Sequence, residues 1–183
     1  MTAGFRKVGE RLLHEGFVIS VGAATFETSD GERFERDIVH HPGAVSVVPL
    51  HDDGTVTMVR QYRAPLDDLL LEIPAGKRDV EGEAPEVTAG RELEEEVGLR
   101  AGRLDLLAEF YNSPGFSDER SFVYLGRDLQ PGTMERHGVE EQALIVERIA
   151  LDDVPALIEA RELVDAKSII GLLLTRERIA RGN

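Results

Sequence analysis

A chain of 183 residues with 42% apolar and 31% charged residues and no repeat of fixed period is ordinary globular material, which excludes a solenoid and a largely disordered chain. Its 35 acidic residues against 21 basic ones give a formal charge of −14, which speaks against a polyanion-binding surface and so against a nucleic acid partner. The absence of cysteine removes disulfides, thiolate metal sites and cysteine nucleophiles together.

The first twenty residues contain no apolar run of signal-peptide length and no later stretch is long enough to span a bilayer, so a cytoplasmic protein without a membrane partner is expected. From Gly16 to His41 two β-branched and aromatic runs, FVISVGAATFE and RFERDIVHH, flank Ser29, Asp30 and Gly31, which predicts a hairpin. A lone hairpin is marginal in water, so these strands need the rest of the chain or a second copy of it. Pro42 and Gly43 mark a boundary, giving a β-strand subdomain over 1–43 and a main domain over 44–183.

In the main domain AVSVVPL and TVTMVRQY are strand-like runs joined by His51, Asp52, Asp53 and Gly54, a second hairpin signal, and LLLEIPAG reads as one further strand. Pro85 suits the first turn of a helix that runs to Val97 and stops at Gly98. Strands RLDLLAEFY and SFVYL flank the loop NSPGFSDE, and a polar stretch from Asp128 to Gln142 precedes the strand ALIVERIAL. Two helices close the chain. One starts near Asp152, and KSIIGLLLTRERIA would pack Ile169, Ile170, Leu172, Leu173 and Leu174 on the sheet. The class is α/β (α+β), a mixed sheet with helices.

The helix from Pro85 contains GRELEEEVGL. Glu92, Glu95 and Glu96 are spaced i, i+3 and i+4 and share one arc of about 100°, while Glu94 points elsewhere. Like charges at this spacing cost about 0.2–0.5 kcal/mol per pair, and carboxylates in a last turn oppose the helix dipole by ~0.3–1 kcal/mol each. A solvated acidic face would bear that cost for nothing. A hard divalent cation would turn it into binding, since such ions take oxygen ligands.

With the loop AGKRDVEGE upstream, Gly76, Glu83, Arg91, Glu92, Leu93, Glu95, Glu96, Gly98 and Leu99 resemble the Nudix hydrolase box, G-x5-E-x7-R-E-U-x-E-E-x-G-U. The first spacer, Lys77 to Gly82, holds six residues where the usual box has five; from Glu83 to Leu99 the spacing is the family's. The resemblance implies an α/β/α sandwich with a mixed sheet. It also implies Mg²⁺ or Mn²⁺ on Glu92, Glu95, Glu96 and the Ala75 carbonyl, held in place by Arg91 and Glu83.

Three flanking segments, RQYR, the following LEIPAG, and SPGFSDE with Pro114 sixteen residues beyond Gly98, are similar to the ADP-ribose pyrophosphatase branch. That likeness implies hydrolysis of ADP-ribose to AMP and ribose 5-phosphate. Arg60, Arg63, Glu72 and Pro114 would meet substrate, and Glu141, or its neighbour Glu140, would be the general base. It further implies a homodimer exchanging its N-terminal strands, with Phe26, Phe34 or Arg36 near the adenine. A nucleoside diphosphate sugar such as GDP-mannose or a UDP-sugar is the alternative substrate, and a non-catalytic ADP-ribose sensor the alternative role.

Overall fold

In the computed structural model, residues 4–182 are described, and they form two compact units: residues up to 43 with 110–120, and 44–109 with the residues from 121 onward. The first unit is a three-stranded antiparallel sheet of β1 (Arg6–Glu15), β2 (Ser20–Glu27) and β3 (Arg33–His40), in the order β1-β2-β3. The hairpin expected from Gly16 onward is β2 and β3, turned by a Thr28 carbonyl that accepts the N–H of Gly31 at 3.1 Å. The strand before it, β1, was not expected. All ten of its residues are exposed, so no alternation of burial marks it in the sequence, and its pairing with β2 alone defines it.

The second unit holds β4 (Ala44–Pro49), β5 (Thr55–Arg63), β6 (Asp68–Glu72), β7 (Ala75–Lys77), α1 (Pro85–Val97), most of β8 (Leu99–Tyr111) and β9 (Arg120–Pro131). It is completed by α2 (Gly138–Gln142), β10 (Ile145–Ala150), a 3₁₀ turn at Leu151–Asp153, α3 (Val154–Glu159) and α4 (Ala166–Ala180). The strands make two sheets, β7-β4-β9-β8 and β10-β5-β6; β4 runs parallel to β9, so the first is mixed.

The expected hairpin of β4 with β5 does not form. Only a single bridge, Leu50 to Val56, joins the two runs. Both strands are buried along nearly their whole length, so each needs a neighbour on both edges, and β4 takes β7 and β9 while β5 takes β6 and β10. The run LLLEIPAG is likewise two strands, because Pro74 cannot donate to a ladder. The polar stretch after Asp128 is not all loop: β9 continues to Pro131 and α2 occupies its end.

Successive side chains of β4 point to opposite faces. Val45 and Val47 share a core with Ala89, Leu93 and Val97 of α1, whereas Val48 meets α4, where a Cβ on Gly171 would lie 2.9 Å from it. Helices thus cover both faces of the mixed sheet. Burying Leu93 completely stabilises by about 1.5–3 kcal/mol and fixes α1's rotation. The stripe that α4 buries is Ser168, Gly171, Leu172 and Thr175, a helical i, i+3, i+4, i+7 series. Leu173 falls outside it and is 41% exposed, against expectation. Small residues in that stripe let the helix axis approach the sheet.

Candidate active site

Helix α1 begins with Pro85 and ends at Gly98, whose φ of 66° is the left-handed stop that a glycine takes at least cost, its N–H donating to the Glu94 carbonyl at 2.9 Å. With Leu93 in the core, the glutamates fall where the helical period puts them. Glu96 is 4% exposed and accepts the N–H of Ala75 on its Oε2 at 2.9 Å. Glu92 lies against Gly76 so closely that an added Cβ there would stand 2.0 Å from its Cδ. That glycine leaves room for a carboxylate.

Arg91 gathers the acidic groups. Its Nη1 is 2.9 Å from Glu92 Oε1 and donates to Glu95 Oε2 at 3.0 Å, and its Nη2 reaches Asp79 at 3.4 Å and Glu83 at 3.5 Å. Asp79, within the long first spacer, was not singled out in the sequence. Burial pushes the Glu92 carboxyl up to about 7, with Arg91 opposing and Glu95 and Asp79 reinforcing the rise. Burial likewise pushes Glu96 up to about 8; the Ala75 N–H and Arg63 oppose this, and Glu92 and Glu141 add to it. At both carboxyls burial outweighs the pull of the nearby cations.

A divalent cation fits this donor set: three carboxylates and a strand carbonyl are hard oxygen ligands, and the Gly76 cradle keeps one carboxylate beside that strand. Among the described residues no three acidic or histidine side chains stand as a closed cage, Arg91 being bonded to Glu92 and Glu95. Glu94, off the shared face, pairs with Arg100 at 2.6 Å and accepts the Thr133 N–H at 2.9 Å.

The loop after β9 is tied to the same helix end. Glu135 N–H donates to the Glu95 carbonyl at 3.1 Å, and Arg136 donates to the carbonyls of Glu96 at 3.0 Å and Leu144 at 2.8 Å. These bonds use carbonyls that a helix end leaves unpaired. The loop leads into α2, where Glu141 Oε2 accepts the His137 N–H at 2.7 Å. The charge of Glu141 adds to the upward push on the Glu96 carboxyl.

The two arginines of RQYR diverge. Arg60 donates to Glu147 of β10 at 2.6 Å. Arg63 forks onto Glu72, Nε to Oε1 at 2.7 Å and Nη2 to Oε2 at 2.6 Å, and lies within the field of Glu96. Glu72 is 2% exposed, so it is not the strand's solvent face; Lys167 of α4 is its other partner. Burial pushes the Glu72 carboxyl up, yet Arg63 and Lys167 outweigh it and hold the group below the usual carboxylate range. Lys167 and Arg136 were not singled out in the sequence, since nothing local marks a partner 95 or 40 residues away; nor was Asp165, although its partners Lys167 and Ser168 are its near neighbours in the chain.

Pro114, Phe26, Phe34 and Arg36 belong to the first unit. Phe26 and Phe34 stack with centroids 5.5 Å apart, and the Arg36 guanidinium lies 4.8 Å from the Phe34 ring centre. Pro114 is exposed in a turn whose Ser113 carbonyl accepts the Phe116 N–H at 3.1 Å.

Residues 40–169 match the NUDIX domain model, which encloses β4 to β10 and every glutamate described above. The chain is a Nudix hydrolase. Nudix hydrolases generally work with divalent metal ions. An ADP-ribose pyrophosphatase of Bacillus subtilis (strain 168) is 40% identical over 89% of this Nudix chain and 88% of its own length. Another, from Mycobacterium tuberculosis (strain ATCC 25618 / H37Rv), is 36% identical over 92% of this chain and 82% of its own. The crystal structure of an ADP compounds hydrolase superposes with a TM-score of 0.84 at 24% identity, covering 98% of this chain and 96% of that one, and shares the Nudix fold.

Proposed function

We propose that this Nudix hydrolase cleaves the pyrophosphate of ADP-ribose to AMP and ribose 5-phosphate, with Mg²⁺ or Mn²⁺ held by Glu92, Glu95, Glu96 and the Ala75 carbonyl. The observation that carries the reading is the carboxylate pair, half-buried Glu92 in its Gly76 cradle and buried Glu96 on the Ala75 N–H. A divalent ion bound there would offset charge on the pyrophosphate oxygens and acidify an attacking water. Arg91 and Glu83 hold the carboxylates' directions, and Arg63 presents a cation to the anionic substrate.

Glu141, bonded to the turn before α2 and acting on Glu96, is the base that takes the water's proton. Water oxygen forms the new bond to phosphorus, and the bridging P–O bond breaks. The choice of ADP-ribose is supported by the two pyrophosphatase relatives and by Pro114. A homodimer built through the first unit is supported by Phe5, Leu12 and Leu13, which are 50%, 59% and 46% exposed. Among the described residues no helix is long and apolar enough to cross a membrane.

Release of phosphomonoester from ADP-ribose, GDP-mannose and UDP-glucose with Mg²⁺ or Mn²⁺ tests the substrate. ADP-ribose is expected to give the highest kcat/KM, and preference for either sugar nucleotide would overturn the choice.

A further inference from the structure

The N-terminal turn of α4 meets the strand that leads into the metal loop, and four charged side chains meet there, Glu72 and Lys167 with little water and Arg63 open to it. Glu72, at 2% exposure, is held by the Arg63 fork on one side and by Lys167 on the other. Lys167, whose side chain is 13% exposed, also lies 3.0 Å from Asp165 Oδ2. Two cations and two anions balance. Burying such a set costs several kcal/mol per ion before pairing, so an arrangement of hydrogen-bonded charges here serves orientation more readily than stability.

The same turn holds the backbone. Asp165 caps α4 by accepting the Ser168 N–H at 3.0 Å and the Ser168 hydroxyl at 2.5 Å, and Ser168 Oγ accepts the N–H of Ile73 at 2.8 Å. One residue further the Pro74 carbonyl accepts from Val47 at 3.0 Å, and then the Ala75 N–H binds Glu96. Glu72 to Ala75 is therefore fixed at each step, on α4 at its start and on α1 at its end.

Arg63 gives two of its donors to Glu72, while its side chain stays 38% exposed and keeps other N–H groups for a ligand. Without a second cation Glu72 could swing toward, or draw in, that guanidinium.

We infer that Lys167 is a positioning residue: by holding Glu72 between α4 and β6 it fixes the direction in which Arg63 presents its free donors to the nucleoside diphosphate. This rests on the reading of Arg63 as a substrate contact. Lys167 acts through Glu72 and Arg63 and touches no reacting atom.

The test is a cycle of Lys167→Met, Arg63→Ala and the double variant, with Lys167→Arg as the conservative replacement. KM, kcat and the thermal midpoint are measured on whichever nucleoside diphosphate the unaltered protein hydrolyses best. Lys167→Met is expected to raise KM about tenfold with kcat changed far less, and Lys167→Arg to recover most of it. In the Arg63→Ala background the same change is expected to shift KM by less than about twofold, because the path from Lys167 to substrate is already cut.

A lower thermal midpoint with KM unmoved, or equal effects on KM in both backgrounds, would overturn the inference. Should Lys167→Met not fold, the charge-neutral pair Glu72→Gln with Lys167→Met takes its place, and an unchanged KM there overturns it equally. Preference for a compound other than ADP-ribose would defeat the substrate assignment and leave the cycle to be read on that compound.

Discussion

The backbone N–H of Ala75 donates to Glu96 Oε2 at 2.9 Å, so one peptide links β7 to α1. Glutamine at 96 retains an oxygen for that bond and loses only the charge. Burial disfavours the charge when no cation is present, so Glu96→Gln is expected to unfold at the same temperature as the parent or a higher one. It should lose any rise in midpoint with Mg²⁺ or Mn²⁺ and lower kcat by about a hundredfold or more. Thermal scans across a cation titration, with an assay of released phosphomonoester, check both; an intact cation response would remove Glu96 from the metal set.

Gly76 tests the cradle separately. A Cβ at this position must displace the end of the Glu92 side chain, from whose Cδ it would stand 2.0 Å, and a flexible carboxylate can move at little cost to the fold. Gly76→Ala is therefore expected to fold normally and to bind Mg²⁺ or Mn²⁺ about tenfold more weakly, since a carboxylate is turned from its direction. Calorimetric titration of the metal reads this directly. Unchanged affinity would mean that Glu92 does not need the space beside Gly76.

The arc of glutamates on α1 was legible in the sequence because local geometry places it, whereas the approach of Glu92 to Gly76 was not. A helix sets Glu92, Glu95 and Glu96 on one arc whatever surrounds it, with Glu96 buried beside the Leu93 and Val97 stripe that packs in the core. The failed β4–β5 hairpin shows the limit. His51 to Gly54 do form a turn, the His51 carbonyl accepting from Gly54 at 3.0 Å, but a turn does not choose the strands' partners, and burial on both faces sent each run into its own sheet. Lys167 and Arg136 were invisible for a related reason: their partners come from elements that only the folded chain brings near, whereas Asp165 caps α4 through Ser168, three residues on. β1 was invisible because none of its residues is buried.

Glu141 and Glu140 are adjacent on α2, and it is Glu141 that accepts the His137 N–H and whose charge bears on the Glu96 carboxyl. If Glu141 takes the water's proton, Glu141→Gln is expected to lower kcat by about 10²–10⁴-fold, and Glu140→Gln to change it by less than about threefold. Both glutamines can keep the short helix, and neither residue is buried. Steady-state kinetics at saturating cation decide between them, and the reverse order of effects would transfer the role to Glu140. Arg136→Ala, which frees the loop from the Glu96 and Leu144 carbonyls, should lower kcat with either glutamate in the role.

His40 carries the pH dependence of the first unit. Its Nε2 meets Glu10 Oε1 at 2.6 Å and its Nδ1 meets Asp118 Oδ2 at 2.5 Å; Lys7 is the remaining charged partner, on Glu10. Glu10 reaches across the middle strand over Gly22, where a Cβ would stand 2.0 Å from its carboxylate. Asp118 also accepts the His41 N–H at 2.9 Å, and its own N–H donates to the Val39 carbonyl at 3.1 Å, so the imidazolium ties the segment bearing Pro114 to β3. The bonds to Glu10 and then Asp118 raise the His40 pKa above its ordinary value, against a smaller opposing effect of burial. A raised folded pKa means that the contribution is complete below the unfolded value of about 6.5 and is lost as pH rises through the folded value. Amide exchange at 39–41 and 116–118, corrected for its intrinsic pH dependence, is therefore expected to show protection falling with rising pH in that window. The same amides in His40→Asn should show no such step. Protection that rises with pH, or a step that survives the substitution, would assign the linkage to another group.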